Sequence, residues 1–62
     1  MKFKELRKSK NMTQCELANA IGKQQSSISN WESGRFKPTT DAIIKIASVL
    51  GCSMQTVLEC FI

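Results

Sequence analysis

Apolar residues recur along this chain at spacings of three and four, and three glycines interrupt the pattern. Phe3 and Leu6 open the series. Leu17, Ala18 and Ile21 follow, then Ile28 and Trp31, then Ile43, Ile46, Ala47 and Leu50, and finally Met54, Val57, Leu58, Phe61 and Ile62. That period belongs to α-helices that bury one side. Gly22, Gly34 and Gly51 each stand just past such a segment, where a left-handed residue commonly ends a helix. Pro38 falls in the loop after Gly34. The pattern predicts an all-α chain of five helices over roughly 2–10, 14–21, 24–33, 40–50 and 54–61, with no strand, repeat, low-complexity tract or linker.

Polar residues at the helix starts support this division. Thr13 and Glu16 have the spacing of a capping box, in which each side chain meets the other residue's backbone N–H. Thr39 or Thr40 caps helix 4, with Asp41 in a first turn that favours negative charge. Ser53 caps helix 5. Lys2, Lys4, Lys8 and Lys10 form a solvated face on helix 1, and Ile44 is expected to be partly covered on helix 4.

At 62 residues the chain is expected to form one domain, 1–62. A chain of this length buries only about 60% of its unfolded surface, which leaves little room for an enclosed catalytic cleft. The net charge of +4 suits a polyanionic partner, either nucleic acid or an acidic membrane surface. A lipid-attached protein, however, needs a basic amphipathic helix with a free apolar face, and none is legible. Cys15, Cys52 and Cys60 are odd in number, lack Cys-x-x-Cys spacing and have no histidine beside them. They fit neither a zinc site nor a disulfide framework. They read as reduced thiols, small hydrophobes in or near the core, in a cytoplasmic protein. No apolar run approaches the length of about 20 residues that spans a bilayer, and no secretory leader is legible. Glu5, Glu16, Glu32, Asp41 and Glu59 are scattered, with no nucleophile and base pair and no Gly-rich phosphate loop. An enzyme, a metal, a cofactor and a small-molecule ligand are therefore not expected.

Helices 2 and 3 carry the most specific signal. Ala18 permits close crossing, Gly22 a tight turn, and Leu17, Ile21, Ile28 and Trp31 fill the space beneath. Gln24, Gln25, Ser26, Ser29 and Asn30 then point outward, with no charge or large apolar group among them. Glutamine and asparagine form paired hydrogen bonds with adenine in the major groove of double-stranded DNA, so these five are the candidate base-reading residues. Every surface helix has a polar side, so the surroundings must carry the inference. Lys10, Lys23, Arg35 and Lys37 are candidate phosphate contacts, which position a protein without specifying sequence. The blander alternative for the last two is a pair of solvated charges flanking a small hydrophobic plug, Phe36.

The chain resembles the Cro/C1-type (XRE-like) helix-turn-helix regulators of phage and bacteria. The matching residues are Leu6-Arg7, Met12-Thr13-Gln14, Glu16-Leu17-Ala18, Gly22, Ser27-Ile28, Trp31-Glu32, Gly34, Pro38, Ile46-Ala47 and Leu50-Gly51-Cys52-Ser53. The resemblance implies a five-helix, lambda-repressor-like fold and a homodimer on a palindromic operator. It implies that Gln14 lies beside a phosphate and braces the recognition helix. It sets Gln25 and Ser26 at the first base-reading positions, Asn30 a turn further on, and Ser27 near a phosphate or a thymine methyl. It implies an ion pair between Arg7 and Glu32. Three residues depart from the family pattern. Gln24 occupies the N-cap of helix 3 without being a preferred capping residue, so that helix either starts a residue earlier or frays until DNA binds. Ser26 is short, and Trp31 is bulky enough to pack half-in or to touch the sugar-phosphate edge.

Val57, Leu58, Phe61 and Ile62 form an apolar patch expected to make an isologous dimer contact, unless Leu58 and Phe61 fold back on the core. The expected function is that of a small dimeric DNA-binding repressor in the bacterial cytoplasm. The alternative is an antitoxin or anti-repressor acting through helix 5.

Overall fold

Helices α1 (Lys2–Ser9), α2 (Gln14–Ile21), α3 (Gln25–Ser33), α4 (Thr40–Leu50) and α5 (Met54–Glu59) succeed one another in the computed structural model. It describes residues 2–61 and the side chains of residues 3–61. No strand occurs among the described residues. The Lys2 side chain and Ile62, both named above, lie outside what is described.

Three helix ends differ from the sequence expectation by one or two residues. α1 stops at Ser9 because Asn11 turns left-handed (φ 59°) and the Arg7 carbonyl accepts from both Lys10 and Met12 backbone N–H groups. α5 stops at Glu59, and the Cys60 and Phe61 N–H groups bond three residues back to Val57 and Leu58, the tightening common at a helix end. α3 starts at Gln25, not Gln24. Gln24 is the extended N-cap residue, and its side chain makes no capping bond.

The other caps close as their residues dictate. Thr13 Oγ1 accepts from Glu16 N at 3.1 Å while Glu16 Oε1 accepts from Thr13 N at 2.9 Å, the reciprocal box. Thr39, not Thr40, caps α4. Ser53 Oγ accepts from Thr56 N at 3.2 Å. At Gly22 the backbone is left-handed (φ 70°), and its N–H reaches the Ala18 and Asn19 carbonyls. An added Cβ there would meet nothing within 4 Å, so it is the backbone conformation, not space, that selects glycine at the turn between α2 and α3.

Phe3, Leu17, Ile28, Ile46 and Val57 are fully buried, one from each helix. α2 packs on both α3 and α4, α4 on α5, and α1 on α3. Trp31 is buried, its ring edge-on to Phe3 at 6.4 Å, so it neither packs half-in nor reaches a sugar-phosphate edge. Phe61 also folds back onto Phe3, with ring centroids 5.2 Å apart. Leu6, expected inside, lies half-buried at the core margin with Met12, Cys52 and Cys60. Ile44 is exposed rather than partly covered, and Cys15 is exposed rather than in the core.

Candidate nucleic-acid interface

The first turns of α3 stand clear of the globule. Gln24, Gln25, Ser26 and Ser29 are exposed, and Ser27 and Asn30 are half-buried. The inward neighbours explain this. Ile28, Trp31 and Glu32 are the buried residues of α3, so the helix turns one side into the core and its opposite side out. The Asn30 carbonyl is engaged at the helix end, where it accepts from the Arg35 N–H at 3.0 Å.

Beneath α3 lies a polar network drawn from three helices. Arg7 Nε donates to Glu32 Oε2 at 2.6 Å, and Nη2 donates to Oε1 at 3.3 Å. Arg7 Nη1 donates to the Met12 carbonyl at 2.6 Å, so the same guanidinium holds the link between α1 and α2. Arg7 and Glu32 are only 5% and 7% exposed, and every buried side-chain polar atom among the described residues has a partner. The pair that the resemblance implied is thus in place, tying α1 to the end of α3.

Burial raises the proton affinity of Glu32, yet its pKa stands below the ordinary 4.5. Hydrogen bonds from Arg7 and Gln14, with the positive charges of Arg7 and Lys4, together outweigh the desolvation. A carboxylate with a lowered folded pKa stabilises the fold fully above its unfolded pKa, and that contribution is lost as pH falls through the folded value. Acid titration of thermal stability should therefore show a loss beginning below about pH 4.5. Glu32→Gln should remove that component and, because it leaves the buried Arg7 charge without its partner, lower the stability at neutral pH as well.

Gln14 opens α2 and is half-buried. Its Nε2 donates to Glu32 Oε1 at 3.0 Å, and its Oε1 accepts from Gln25 Nε2 at 3.3 Å. It links the buried ion pair to an exposed residue of the outer face. Gln14 stands 11 and 18 residues from these partners in the chain and on a different helix, so no periodicity within one helix relates them. Only the crossing of α2 and α3 brings them together, so the link between Gln14 and Glu32 was not legible in the chain. Gln14 and Gln25 also border a shallow cleft with Arg7, Lys8, Thr13 and Cys15.

Lys10, Lys23, Arg35 and Lys37 are all exposed. Lys23 follows the Gly22 turn, and Arg35 and Lys37 follow α3. Phe36 is 57% exposed and plugs nothing, and the Arg35 guanidinium lies over its ring at 5.7 Å from the centroid. The buried residue of this loop is Pro38.

At the far end, Val57 is fully buried and offers no surface to a second copy, which corrects its assignment to a dimer contact. Leu58 is 39% exposed, and Phe61 is half-buried against Phe3.

The helix-turn-helix family model matches residues 3–57. With its turn at Gly22, α3 outside and five helices around one core, the chain belongs to the helix-turn-helix family of the Cro/C1 type. It is similar to the ImmF control region 10 kDa protein of Bacillus phage phi105, with 32% identity over 53 residues. That alignment covers 86% of this chain and 59% of the relative, so the chain spans little more than half the length of the curated protein it matches. No solved structure gives a significant match.

Proposed function

We propose that this chain is a sequence-specific double-stranded DNA-binding transcription regulator. It acts as a small homodimer on an inverted-repeat operator, by occlusion or recruitment at a promoter. The observation that carries this reading is the outward amide and hydroxyl face at the start of α3, with Gln24, Gln25, Ser26 and Ser29 exposed and Asn30 half-buried, buttressed from below by Arg7, Glu32 and Gln14. A helix so presented fits a major groove, with its N-terminal residues at base edges. Gln24, Gln25, Ser26, Ser29 and Asn30 read bases. Gln14, Lys23, Ser27, Arg35, Lys37 and Lys10 hold phosphates. Membership of the family, and the likeness to a protein described as belonging to a phage control region, favour the same conclusion.

The test is an amide shift map of the labelled protein titrated with duplex DNA at low salt. The largest shifts should fall on residues 23–30, on Gln14 and on the loop from Arg35 to Lys37. Shifts confined to α4 and α5, or none at all, would contradict the proposal.

The dimer contact is assigned to the exposed side of α5. Met54 and Leu58 are both 39% exposed and lie one turn apart. Leu58→Asp should shift sedimentation equilibrium of the free protein toward monomer. This change is a cleaner probe than one at Phe61, whose ring also packs in the core. Equal monomer masses for wild type and variant would remove the contact from the free protein. The same α5 side suits a different protein partner, as the antitoxin or anti-repressor reading requires. That reading predicts equal affinity for every duplex.

A further inference from the structure

Three exposed features lie outside the polar network. The groove between α2 and α4, lined by Ala20, Ile44 and Val49, has nothing in the structure to say what covers it. Cys15 is a single exposed thiol with no ligand beside it. Phe36 and its flanking cations belong to the interface already described. The chain of contacts from Glu32 through Gln14 to Gln25 carries further.

We infer that Glu32 is a specificity-positioning residue: it fixes which way round the Gln14 and Gln25 amides stand, and so makes Gln25 accept adenine and reject guanine. The inference rests on the DNA-reading role proposed above for α3. Ionised, Glu32 can only accept hydrogen bonds. Gln14 must therefore turn its NH2 group toward Oε1, as it does at 3.0 Å. The opposite end of that amide, Oε1, is then the atom facing Gln25. An oxygen can only accept, so Gln25 must in turn offer its NH2 group, as it does at 3.3 Å. One Nε2 hydrogen of Gln25 is used inward, leaving the other hydrogen and the carbonyl oxygen for an outside partner.

One donor beside one acceptor complements adenine, whose N7 accepts and whose N6 amino group donates. Guanine presents two acceptors, N7 and O6. Its O6 would meet the Gln25 carbonyl oxygen, and neither atom carries a hydrogen. If the series ran the other way, Gln25 would turn its oxygen toward Gln14 and its NH2 hydrogens outward, the pattern guanine requires. The lowered pKa of Glu32 keeps the carboxylate ionised at neutral pH, which supports the geometric argument.

Glu32→Gln reverses the logic while keeping the shape. Arg7 then finds one acceptor where it had two; the new amide turns its oxygen to the shorter contact, with Nε at 2.6 Å, gives up the one with Nη2 at 3.3 Å, and turns its NH2 toward Gln14. Gln14 then rotates, and Gln25 follows. Gln14→Met breaks the series while leaving both members of the ion pair and their mutual hydrogen bonds in place, and serves if Glu32→Gln does not fold.

The experiment selects duplexes from a random pool with wild type, Gln25→Ala, Glu32→Gln and Gln14→Met. In the wild-type pool, one position per half-site should hold adenine over guanine by about tenfold, and Gln25→Ala should randomise that position. Glu32→Gln should move it toward guanine, and Gln14→Met should bring the two bases within about twofold, with neighbouring positions unchanged. An adenine preference unaltered in a folded Glu32→Gln protein, or in Gln14→Met, overturns the inference. The side-chain amide spectrum of the free protein separates this failure from failure of the DNA reading. Gln25 proton signals should change in both Glu32→Gln and Gln14→Met, and identical signals in all three proteins would overturn the relay without reference to DNA. A wild-type pool without enrichment overturns the DNA reading, and the base preference falls with it.

Discussion

Arg7→Met is expected to leave much of the protein unfolded at room temperature. The guanidinium is 5% exposed and makes three hydrogen bonds, two to Glu32 and one to the Met12 carbonyl. Removing one member of a buried pair leaves the other charge without compensation, at a cost of about 3–5 kcal/mol. At about 0.05–0.15 kcal/mol per residue, a domain this small has a total stability of the same order. The Met12 carbonyl would also lose its donor, loosening the connection from α1 to α2. Adding Glu32→Leu should restore part of the loss, because the stranded carboxylate is then gone and an apolar pair takes its place. Urea denaturation of the wild type, both single variants and the double variant measures this. An Arg7→Met protein within about 1 kcal/mol of wild type would mean that the pair is far better solvated than its burial implies.

The second large effect is on recognition. Gln25→Ala should remove about 1–3 kcal/mol of discrimination at one base position per half-site, while the affinity for random duplex changes little. Gln25 is exposed, and its one internal bond is to another side chain, so the fold should tolerate its loss. Lys37→Ala gives the contrast. It should weaken binding to all sequences alike and reduce the slope of log affinity against log salt by about 1. If both variants lowered operator and random-site affinity by the same factor, the division between base reading and phosphate holding would be wrong.

Much of this fold was legible because local chemistry decides it. Thr13 and Glu16, Thr39, Ser53 and the glycines at 22, 34 and 51 mark helix ends through bonds made within a few residues. The apolar period picks out Leu17, Ile28 and Ile46 as core in the same way. What was not legible depends on volume and crossing. Whether Trp31 packs inside depends on the gap beside Phe3, and whether Phe36 or Pro38 fills the loop depends on how α4 sits. Val57 illustrates the limit. Its place in an apolar patch is plain in the chain, but which patch residues face inward is settled only when α5 docks on α4. Of the interface, the outward side of α3 follows from its inward side, whereas the link from Glu32 to Gln14 joins two residues that are 18 apart in the chain and on different helices.

Selection of bound duplexes from a random pool by the wild-type protein bears most directly on the proposal that α3 reads DNA. The expected outcome is an inverted repeat whose half-site centres lie about 34 Å apart, one turn of the duplex. The selected duplex should bind at least about 10³-fold more tightly than a scrambled one at the same salt. A pool that emerges with no common sequence, and a scrambled duplex bound as well as any other, would contradict it.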